Sequence, residues 1–314
     1  MTQGPSSIEA TPLDGFRGDR VYLGADHRRN ERRTWIVTAI CLATLVAQLA
    51  GGMVFRSMAL TASGLHMAAH VAVLLVAALS YSLSRRYAGD RRFSFGTGKL
   101  GYLAGFTNAV LLSVTALFIG VESLERLIAP GEVHYEGALP LALAGLAVTV
   151  VCVLLLRPVR RQAHDHDRDG DLNLTAAHLH LSADALVSVL AVAGLAAGAR
   201  FGWSWADPAA GLAGAALVAQ FAWTLIRRTA APLLDINPSP QLHAEVRQRL
   251  TADGERLLDL HLWRLGPGHH AAIAVVASKA QLPPEAYRAR LKDLPGLSHV
   301  TVEVRAEAGG PARP

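Results

Sequence analysis

The second long apolar run of the chain, residues 58–83, reads MALTASGLHMAAHVAVLLVAALSYSL. A helix needs about 20 predominantly apolar residues to cross a hydrocarbon core roughly 30 Å thick, and this run is long enough. It carries two histidines, His66 and His70, whose four-residue spacing places them on one face of a helix. Ionisable groups inside a membrane usually face the interior of a bundle, so the run predicts a membrane-spanning helix with a functional polar stripe.

Five further runs have a comparable length and composition, so the sequence predicts an α-helical membrane protein with six transmembrane helices. The second and fifth runs are the least uniformly apolar, because they contain the intramembrane histidines. The predicted spans cover residues 34–55, 58–83, 101–124, 138–156, 175–199 and 206–226.

The composition supports a membrane protein, since 51% of the residues are hydrophobic and 18% are charged. Soluble proteins usually carry about 25% charged residues. The formal net charge is +5, yet no basic patch is interleaved with aromatic side chains, which argues against a nucleic-acid partner and for a lipid bilayer. Cys41 and Cys152 both lie inside apolar runs, so we interpret them as buried small side chains rather than a disulfide framework.

Lysine and arginine are distributed unequally between the two sides of the predicted bundle. They cluster before the first span, between the second and third, between the fourth and fifth, and after the sixth, whereas the opposite connections hold only Arg56, Arg126 and Arg200. The positive-inside rule therefore predicts that both termini are cytoplasmic. Residues 1–33 lack the apolar core of a signal peptide, so we expect a polar N-terminal tail and a first span that itself serves as the insertion signal. We expect the protein to lie in a bacterial inner membrane.

The character of the chain changes after the sixth span, where prolines and polar residues become frequent. A helix, two alternating strands joined by Gly266-Pro267-Gly268, a second helix and a last strand follow in that order. An α-β-β-α-β order suits a small sheet covered by helices on one face. The predicted division is a tail at 1–33, a membrane domain at 34–228, a linker at 229–240, an α+β domain at 241–307 and a disordered tail at 308–314.

A second ionisable pair lies in the fifth span, where the sequence NLTAAHLHLSAD (residues 173–184) places His180 and Asp184 four residues apart. With His66 and His70, this pair supplies three imidazole nitrogens and one carboxylate oxygen. Such a set suits tetrahedral binding of Zn, Co or Ni, whereas Mg and Ca favour oxygen ligands. Because the protein supplies all four ligands, no position remains for a reactive water, which favours binding and release over hydrolysis.

A purely structural role is the alternative for any single intramembrane histidine, since such residues often pack or form hydrogen bonds. Four ionisable groups in two spans are harder to explain in that way, because each costs about 2.5 kcal/mol or more when charged at mid-membrane. Two neighbouring residues form an accessory set: Asn173 lies two turns before His180 on the same stripe, and His178 points to another face of the helix.

These pairs resemble the metal motifs of the cation diffusion facilitator family, whose members carry two ligands on the second span and His-x-x-x-Asp on the fifth. The resemblance covers about residues 24–307, and three segments look most like the DmeF-type cobalt/nickel exporters. These segments are RRFSFGTGK at 91–99, Asp207-Pro208, and DLHLWRLGPGHH at 259–270.

This resemblance implies a homodimeric secondary transporter that exports Co or Ni, with Zn as a further ion, and that has a cytoplasmic ferredoxin-like domain. A zinc, cadmium or iron exporter is the alternative within the family. Two positions depart from the family: Ser63 stands where many relatives have Asp, and His178 stands where an apolar or aromatic residue is common.

Further histidines are candidates for accessory metal binding. His164 and His166 alternate with aspartates in the fourth-to-fifth connection, where they would collect ions weakly or belong to an ordinary solvated linker. In the C-terminal domain the candidates for a regulatory site are His261, His269, His270 and His299.

Protons compete with metal ions for imidazole and carboxylate ligands, so we expect proton/metal antiport with alternating access. No cofactor is expected beyond the transported ion, and no Walker sequence indicates that ATP drives transport. Three rivals remain: an integral membrane metalloenzyme, for which the His-Glu-x-x-His string is missing, a haem-binding membrane subunit, and a non-transporting metal sensor.

Overall fold

The computed structural model of the protein describes residues 22–24, 26–54, 58–129, 135–157, 171–236, 239–280 and 282–306. The described part forms a bundle of long helices followed by a small α+β domain. Six of its helices are long and apolar enough to cross a membrane. The prediction of a six-helix, multi-pass membrane protein is therefore confirmed.

The six helices follow the predicted spans and extend beyond several of them. Helix α5 begins after Asp171, whose side chain accepts hydrogen bonds from the backbone N–H groups of Asn173 and Leu174. It ends at Gly202, whose φ of 70° is the left-handed conformation typical of a glycine after a helix. The bounds are α1 His27–Val54, α2 Met58–Arg86, α3 Leu100–Ile128, α4 Tyr135–Leu155, α5 Leu172–Phe201 and α6 Ala206–Leu233.

Helix α1 begins seven residues before the predicted span because its polar first turns find partners on other helices. The Glu31 carboxylate accepts hydrogen bonds from the Arg85 guanidinium at 3.0 and 3.1 Å and from the Ser82 hydroxyl at 2.8 Å. The Asn30 amide donates to Asp171 at 2.8 Å. These contacts make the polar extension part of the folded bundle rather than part of the N-terminal tail.

The two helices that carry the predicted ligands lie at the centre of the bundle. Helix α2 packs against α1, α3, α4 and α5, and α5 packs against α2, α3, α4 and α6. Helix α6 packs chiefly against α3 and continues past the predicted span, so that Pro232 lies in its last turn rather than in a linker. Polar groups on the facing sides of α2 and α5 are therefore removed from the surface of the bundle.

The C-terminal domain has the α-β-β-α-β order predicted from the sequence. Its central strand β2 pairs antiparallel with β1 and parallel with β3, and α8 makes the crossover between β2 and β3. Both helices pack on one face of this sheet, around the buried Tyr287, as expected for a ferredoxin-like domain. The bounds are α7 Pro240–Leu250, β1 Arg256–Gly266, β2 His269–Ser278, α8 Pro284–Leu291 and β3 Leu297–Ala306.

The hairpin between β1 and β2 docks on the connection between α2 and α3. The rings of Phe95 and Trp263 meet edge to face with centroids 5.5 Å apart. The backbones approach so closely that a Cβ added at Gly98 would lie 2.4 Å from the Leu265 carbonyl oxygen, and one added at Gly266 would lie 2.3 Å from the Tyr22 carbonyl oxygen. This contact, here called the docking junction, joins the C-terminal domain to the helix bundle.

Candidate metal centre

Three of the four predicted ligands meet inside the bundle. His70 on α2 and His180 and Asp184 on α5 are buried, with exposed fractions of 3%, 3% and 5%. One ligand atom from each residue lies within 4.8 Å of the other two. Within the part of the chain that the structure describes, this is the one such cluster of three histidine, cysteine or acidic residues.

The geometry of the cluster fits a tetrahedral ion. The Asp184 Oδ2 atom lies 3.1 Å from His70 Nδ1 and 3.1 Å from His180 Nε2. The two imidazole rings are nearly perpendicular, at 87°, with centroids 5.9 Å apart. Ligand atoms around a tetrahedral zinc with bonds of about 2.0–2.1 Å lie roughly 3.3 Å from one another. Small side-chain movements would therefore bring these three atoms around one ion.

The fourth predicted ligand, His66, lies on α2 one turn before His70. Its side chain is outside the described residues, as is that of Ser63, so the role of His66 as a ligand stays a prediction. A helix brings positions i and i+4 to the same face, so the backbone places His66 on the stripe of α2 that carries His70.

An apolar shell surrounds the cluster. The buried side chains of Met67, Val71 and Leu181 belong to the core that α1, α2, α4 and α5 share. The same core contains Cys41 and Cys152, whose Sγ atoms lie 3.6 Å apart across α1 and α4 as free thiols. This low-dielectric wall strengthens electrostatic attraction between the Asp184 carboxylate and a bound cation.

One carboxylate positions the beginning of α5 relative to its neighbours. Asp171 Oδ1 accepts the two backbone N–H groups of the first turn at 3.1 and 3.2 Å. Its Oδ2 atom accepts the Asn30 amide at 2.8 Å and a short hydrogen bond from the Tyr81 hydroxyl. The start of α5 is thereby attached to both α1 and α2, which fixes the helix that carries two of the ligands.

Asn173 is the accessory residue that the structure explains most directly. It is buried, and its amide donates a hydrogen bond to the Ala77 carbonyl oxygen on α2 at 3.0 Å. Asn173 lies on the same stripe of α5 as His180, about two turns away. It therefore acts as a bridge between α2 and α5 beside the cluster rather than as a member of it.

Of the other accessory histidines of the membrane domain, only His178 lies in the described part of the chain, and it does not join this cluster. His178 is half-buried on a different face of α5, and its carbonyl oxygen accepts the Ser182 hydroxyl. His164 and His166 lie outside the described residues, so a role in ion collection stays a prediction.

The histidines of the C-terminal domain occupy separate places. His261 is exposed on β1 and pairs with Asp259 at 2.9 Å. The His269 ring approaches the Ser298 hydroxyl at 2.7 Å, whereas the His299 ring lies against Phe95 with centroids 5.9 Å apart. His270 is buried in the sheet. The described residues of one chain therefore do not bring these histidines into one site, and a regulatory site there stays a prediction.

Sequence reasoning overlooked Asp171, Tyr81 and Asn30, which hold the helices of the site together. A signal existed for Asp171 alone, because aspartate directly before an apolar helical run is a typical helix N-cap. The partners on α1 and α2 come from distant parts of the chain, and no local pattern indicates them.

Comparison with known proteins agrees with this architecture. A family model described as the cation efflux transmembrane domain matches residues 34–234, more than half of the chain. This range contains the candidate metal centre and nearly all of the six-helix bundle.

Several curated relatives are similar along most of their length. The metal cation efflux system protein CzcD of Cupriavidus metallidurans is 27% identical over 293 residues, covering 90% of each chain. The cadmium, cobalt and zinc/H(+)-K(+) antiporter of Bacillus subtilis is 25% identical over 296 residues, covering 91% of this chain and 93% of the relative. The zinc transporter ZitB of Pectobacterium atrosepticum is 31% identical over 241 residues, covering 76% and 72%. The chain therefore belongs to the cation diffusion facilitator family of metal transporters, and it is a transporter rather than an enzyme.

Proposed function

We propose that this protein exports cobalt and nickel ions, with zinc as a further substrate, through a site formed by His66, His70, His180 and Asp184. The observation that carries the proposal is the convergence of two imidazoles and one carboxylate, all buried, on the facing sides of α2 and α5. Membrane helices rarely bury such groups unless they form an ion or proton pathway.

The donor set favours borderline-soft divalent ions. Imidazole nitrogen suits Zn, Co and Ni, whereas a site for Mg or Ca would present mainly oxygen. The affinity of such a site rises from manganese to copper and falls again at zinc, and it does not by itself select the physiological substrate. The choice of cobalt and nickel rests on the resemblance of the 91–99 and 259–270 segments to the DmeF-type exporters.

Competition between protons and metal couples transport to the proton gradient. A metal ion binds neutral imidazole and ionised carboxylate, so protons must leave the site when the ion enters. An inward-facing site loads metal, and an outward-facing site takes up protons and releases it, as alternating access requires. The Bacillus subtilis relative is named as a cadmium, cobalt and zinc/H(+)-K(+) antiporter, which supports this coupling.

The arrangement in the membrane follows from the charges that flank the bundle. Arginines and lysines in the first turns of α1, between α2 and α3, and near the end of α6 favour a cytoplasmic location for both termini and the C-terminal domain. We expect a homodimer in a bacterial inner membrane. This topology exposes the docking junction to the cytoplasm, the compartment from which the exporter takes its ions.

The decisive experiment measures metal uptake into proteoliposomes with an imposed proton gradient, offering Co, Ni and Zn in turn. Asp184→Ala and His70→Ala should abolish uptake of each ion. The matched control is Ser182→Ala on α5, because its hydroxyl donates a hydrogen bond within its own helix, to the His178 carbonyl at 2.7 Å. Undiminished uptake by both ligand variants would overturn the site. A strong preference for zinc would overturn the cobalt and nickel assignment while leaving the site in place.

A further inference from the structure

We propose that Asn108 on α3 positions His180 for metal binding, by accepting the hydrogen bond that the second ring nitrogen of His180 donates. This inference rests on the proposed function of the α2–α5 cluster and adds a third helix to it. It assigns Asn108 a positioning role, since Asn108 acts on the ion through the His180 imidazole.

Asn108 is an unusual residue for its location. Its side chain is completely buried, with an exposed fraction of 0%. Neither its amide oxygen nor its amide nitrogen has a hydrogen-bond partner among the described residues. Buried polar groups are almost always hydrogen-bonded, so an unpartnered carboxamide inside a membrane bundle indicates a partner that is engaged when the site works.

The register between α3 and α5 places Asn108 opposite His180. Near the start of both helices, a Cβ added at Gly101 would lie 3.6 Å from the Asn173 Cβ. One turn later, a Cβ added at Gly105 would lie 3.6 Å from the Ala176 Cβ. Further along, residues of both helices again share a core, with Leu112 and Ala183 as members.

Interpolation between these contacts gives the level of Asn108, that is, its position along the axis of the bundle. It lies three residues after Gly105 and four before Leu112, and His180 lies four after Ala176 and three before Ala183. The two helices run in parallel with the same rise per residue, so Asn108 and His180 share one level of the bundle.

The orientation around α3 also directs Asn108 toward the cluster. On the same helix, Ala109 and Ala116 belong to cores formed with α6 residues. Successive helical residues are separated by about 100°, so Asn108 lies on the edge of this face of α3 that is further from α6, beside the residues that pack on α5. Because α6 takes the opposite edge, this edge is the one left for α2, which also packs on α3. Asn108 therefore points to the junction of α2, α3 and α5, where His70 and His180 meet Asp184.

The chemistry of a ligating histidine supplies the missing partner. His180 Nε2 faces the Asp184 carboxylate at 3.1 Å, so this nitrogen is the one that binds the ion. A neutral imidazole that ligates through Nε2 carries its proton on Nδ1, and ligating histidines almost always donate that proton to an acceptor. His180 Nδ1 is buried and has no hydrogen-bond partner among the described residues. The Asn108 Oδ1 atom is the acceptor at the same level.

The test compares variants that keep or remove the acceptor at position 108. Asn108→Leu keeps the number and branching of the side-chain heavy atoms but has no acceptor, and Asn108→Ala removes the amide if leucine impairs folding. Asn108→Asp keeps an acceptor oxygen at this position and replaces the amide nitrogen by a second one. Ser113→Ala on the same helix is the control, because its hydroxyl bonds to the Ala109 carbonyl at 2.9 Å within α3. The measurement is Co(II) binding to the purified full-length protein by calorimetry, with thermal stability recorded alongside.

We expect Asn108→Leu and Asn108→Ala to weaken Co(II) binding by about 10–100-fold, as is typical when the partner of a metal-bound histidine is lost. Asn108→Asp should bind Co(II) at least as tightly as the wild type, which a purely packing role would not predict. Wild-type affinity in Asn108→Leu, or equally weak binding in Asn108→Asp, would overturn the proposal. Asp184→Ala distinguishes failure of the transport-site proposal from failure of the Asn108 proposal. If this variant binds Co(II) normally, the transport site itself is wrong. If it loses binding, a negative result with the Asn108 variants overturns only the role of Asn108.

Discussion

Replacement of Gly98 by alanine should weaken the docking junction between the C-terminal domain and the helix bundle. The new Cβ would lie 2.4 Å from the Leu265 carbonyl oxygen, 2.8 Å from the Gly266 Cα and 2.8 Å from the Tyr22 carbonyl oxygen. All three obstacles are backbone atoms, so no side-chain rotation relieves the overlap. The hairpin, the α2–α3 connection or the Tyr22 segment must move instead.

The size of the effect follows from the cost of overpacking. One extra methyl group in a well-packed site typically costs about 1–3 kcal/mol. Since 1.4 kcal/mol corresponds to a tenfold change in an equilibrium constant, the docked state should be disfavoured roughly 5- to 150-fold. The three obstructing atoms all belong to the docking junction, so this loss of stability should concern the junction rather than the interior of either domain.

Hydrogen exchange of the full-length protein provides the measurement, because it reports local opening segment by segment. Peptides that contain the β1–β2 hairpin and Tyr22 should exchange faster in Gly98→Ala than in the wild type. Gly89→Ala is the matched control, since a Cβ at Gly89 in the same connection meets no atom within 4 Å. Equal exchange of the hairpin in Gly98→Ala and Gly89→Ala would refute the reasoning, because it would mean that the close approach of the backbones is absent in solution.

Two further predictions concern other contacts. Oxidation by copper phenanthroline should join Cys41 to Cys152, because their Sγ atoms are 3.6 Å apart. The two thiols give one electron each to two copper(II) ions and their two protons to the solvent as the disulfide forms. The oxidised protein should then resist alkylation after denaturation, and two reactive thiols would contradict the α1–α4 packing. In the C-terminal domain, burial works to raise the pKa of the Glu255 carboxyl, but the hydrogen bond and charge of Arg290, together with backbone hydrogen bonds at Glu255 and Asp253, outweigh it, and the pKa is lowered from its ordinary 4.5. A lowered folded-state pKa contributes stability above the unfolded value and loses it as pH falls through the folded value. The domain should therefore lose stability as the pH falls below about 4.5. Arg290→Met should lower the stability of the domain at neutral pH and weaken its dependence on acid pH. Hydrogen exchange, used to monitor denaturation, measures both effects. An unchanged acid dependence would contradict the role of Arg290.

The sequence predicts the membrane bundle correctly, and it predicts that His180 and Asp184 lie together, because both features depend on short-range spacing. Apolar length determines where helices cross the bilayer, and four-residue spacing determines that His180 and Asp184 share a face. The alternation of apolar residues likewise predicts the three strands of the C-terminal domain. These features need no knowledge of which helices become neighbours.

Contacts between distant segments were beyond the reach of such patterns. The early start of α1 depends on the pairing of Glu31 with Arg85 and of Asn30 with Asp171, and a window that counts apolar residues excludes those polar turns. The close approach of Gly98 to Gly266 has no local signature, because two glycines far apart in sequence become informative only when their backbones are seen together.

Asp171 has a consequence for how the exporter can vary. Its carboxylate anchors the start of α5 to Asn30 and Tyr81, so the preceding connection, with His164 and His166, does not set the position of the helix. Doubling the length of a loop adds only about 0.6 kcal/mol of closure entropy. A hydrogen bond to a charged group is worth about 1.5–3 kcal/mol, so the anchor outweighs such a change. The connection can therefore gain or lose histidines as a lineage meets different metals, while the residues of the candidate metal centre keep their places.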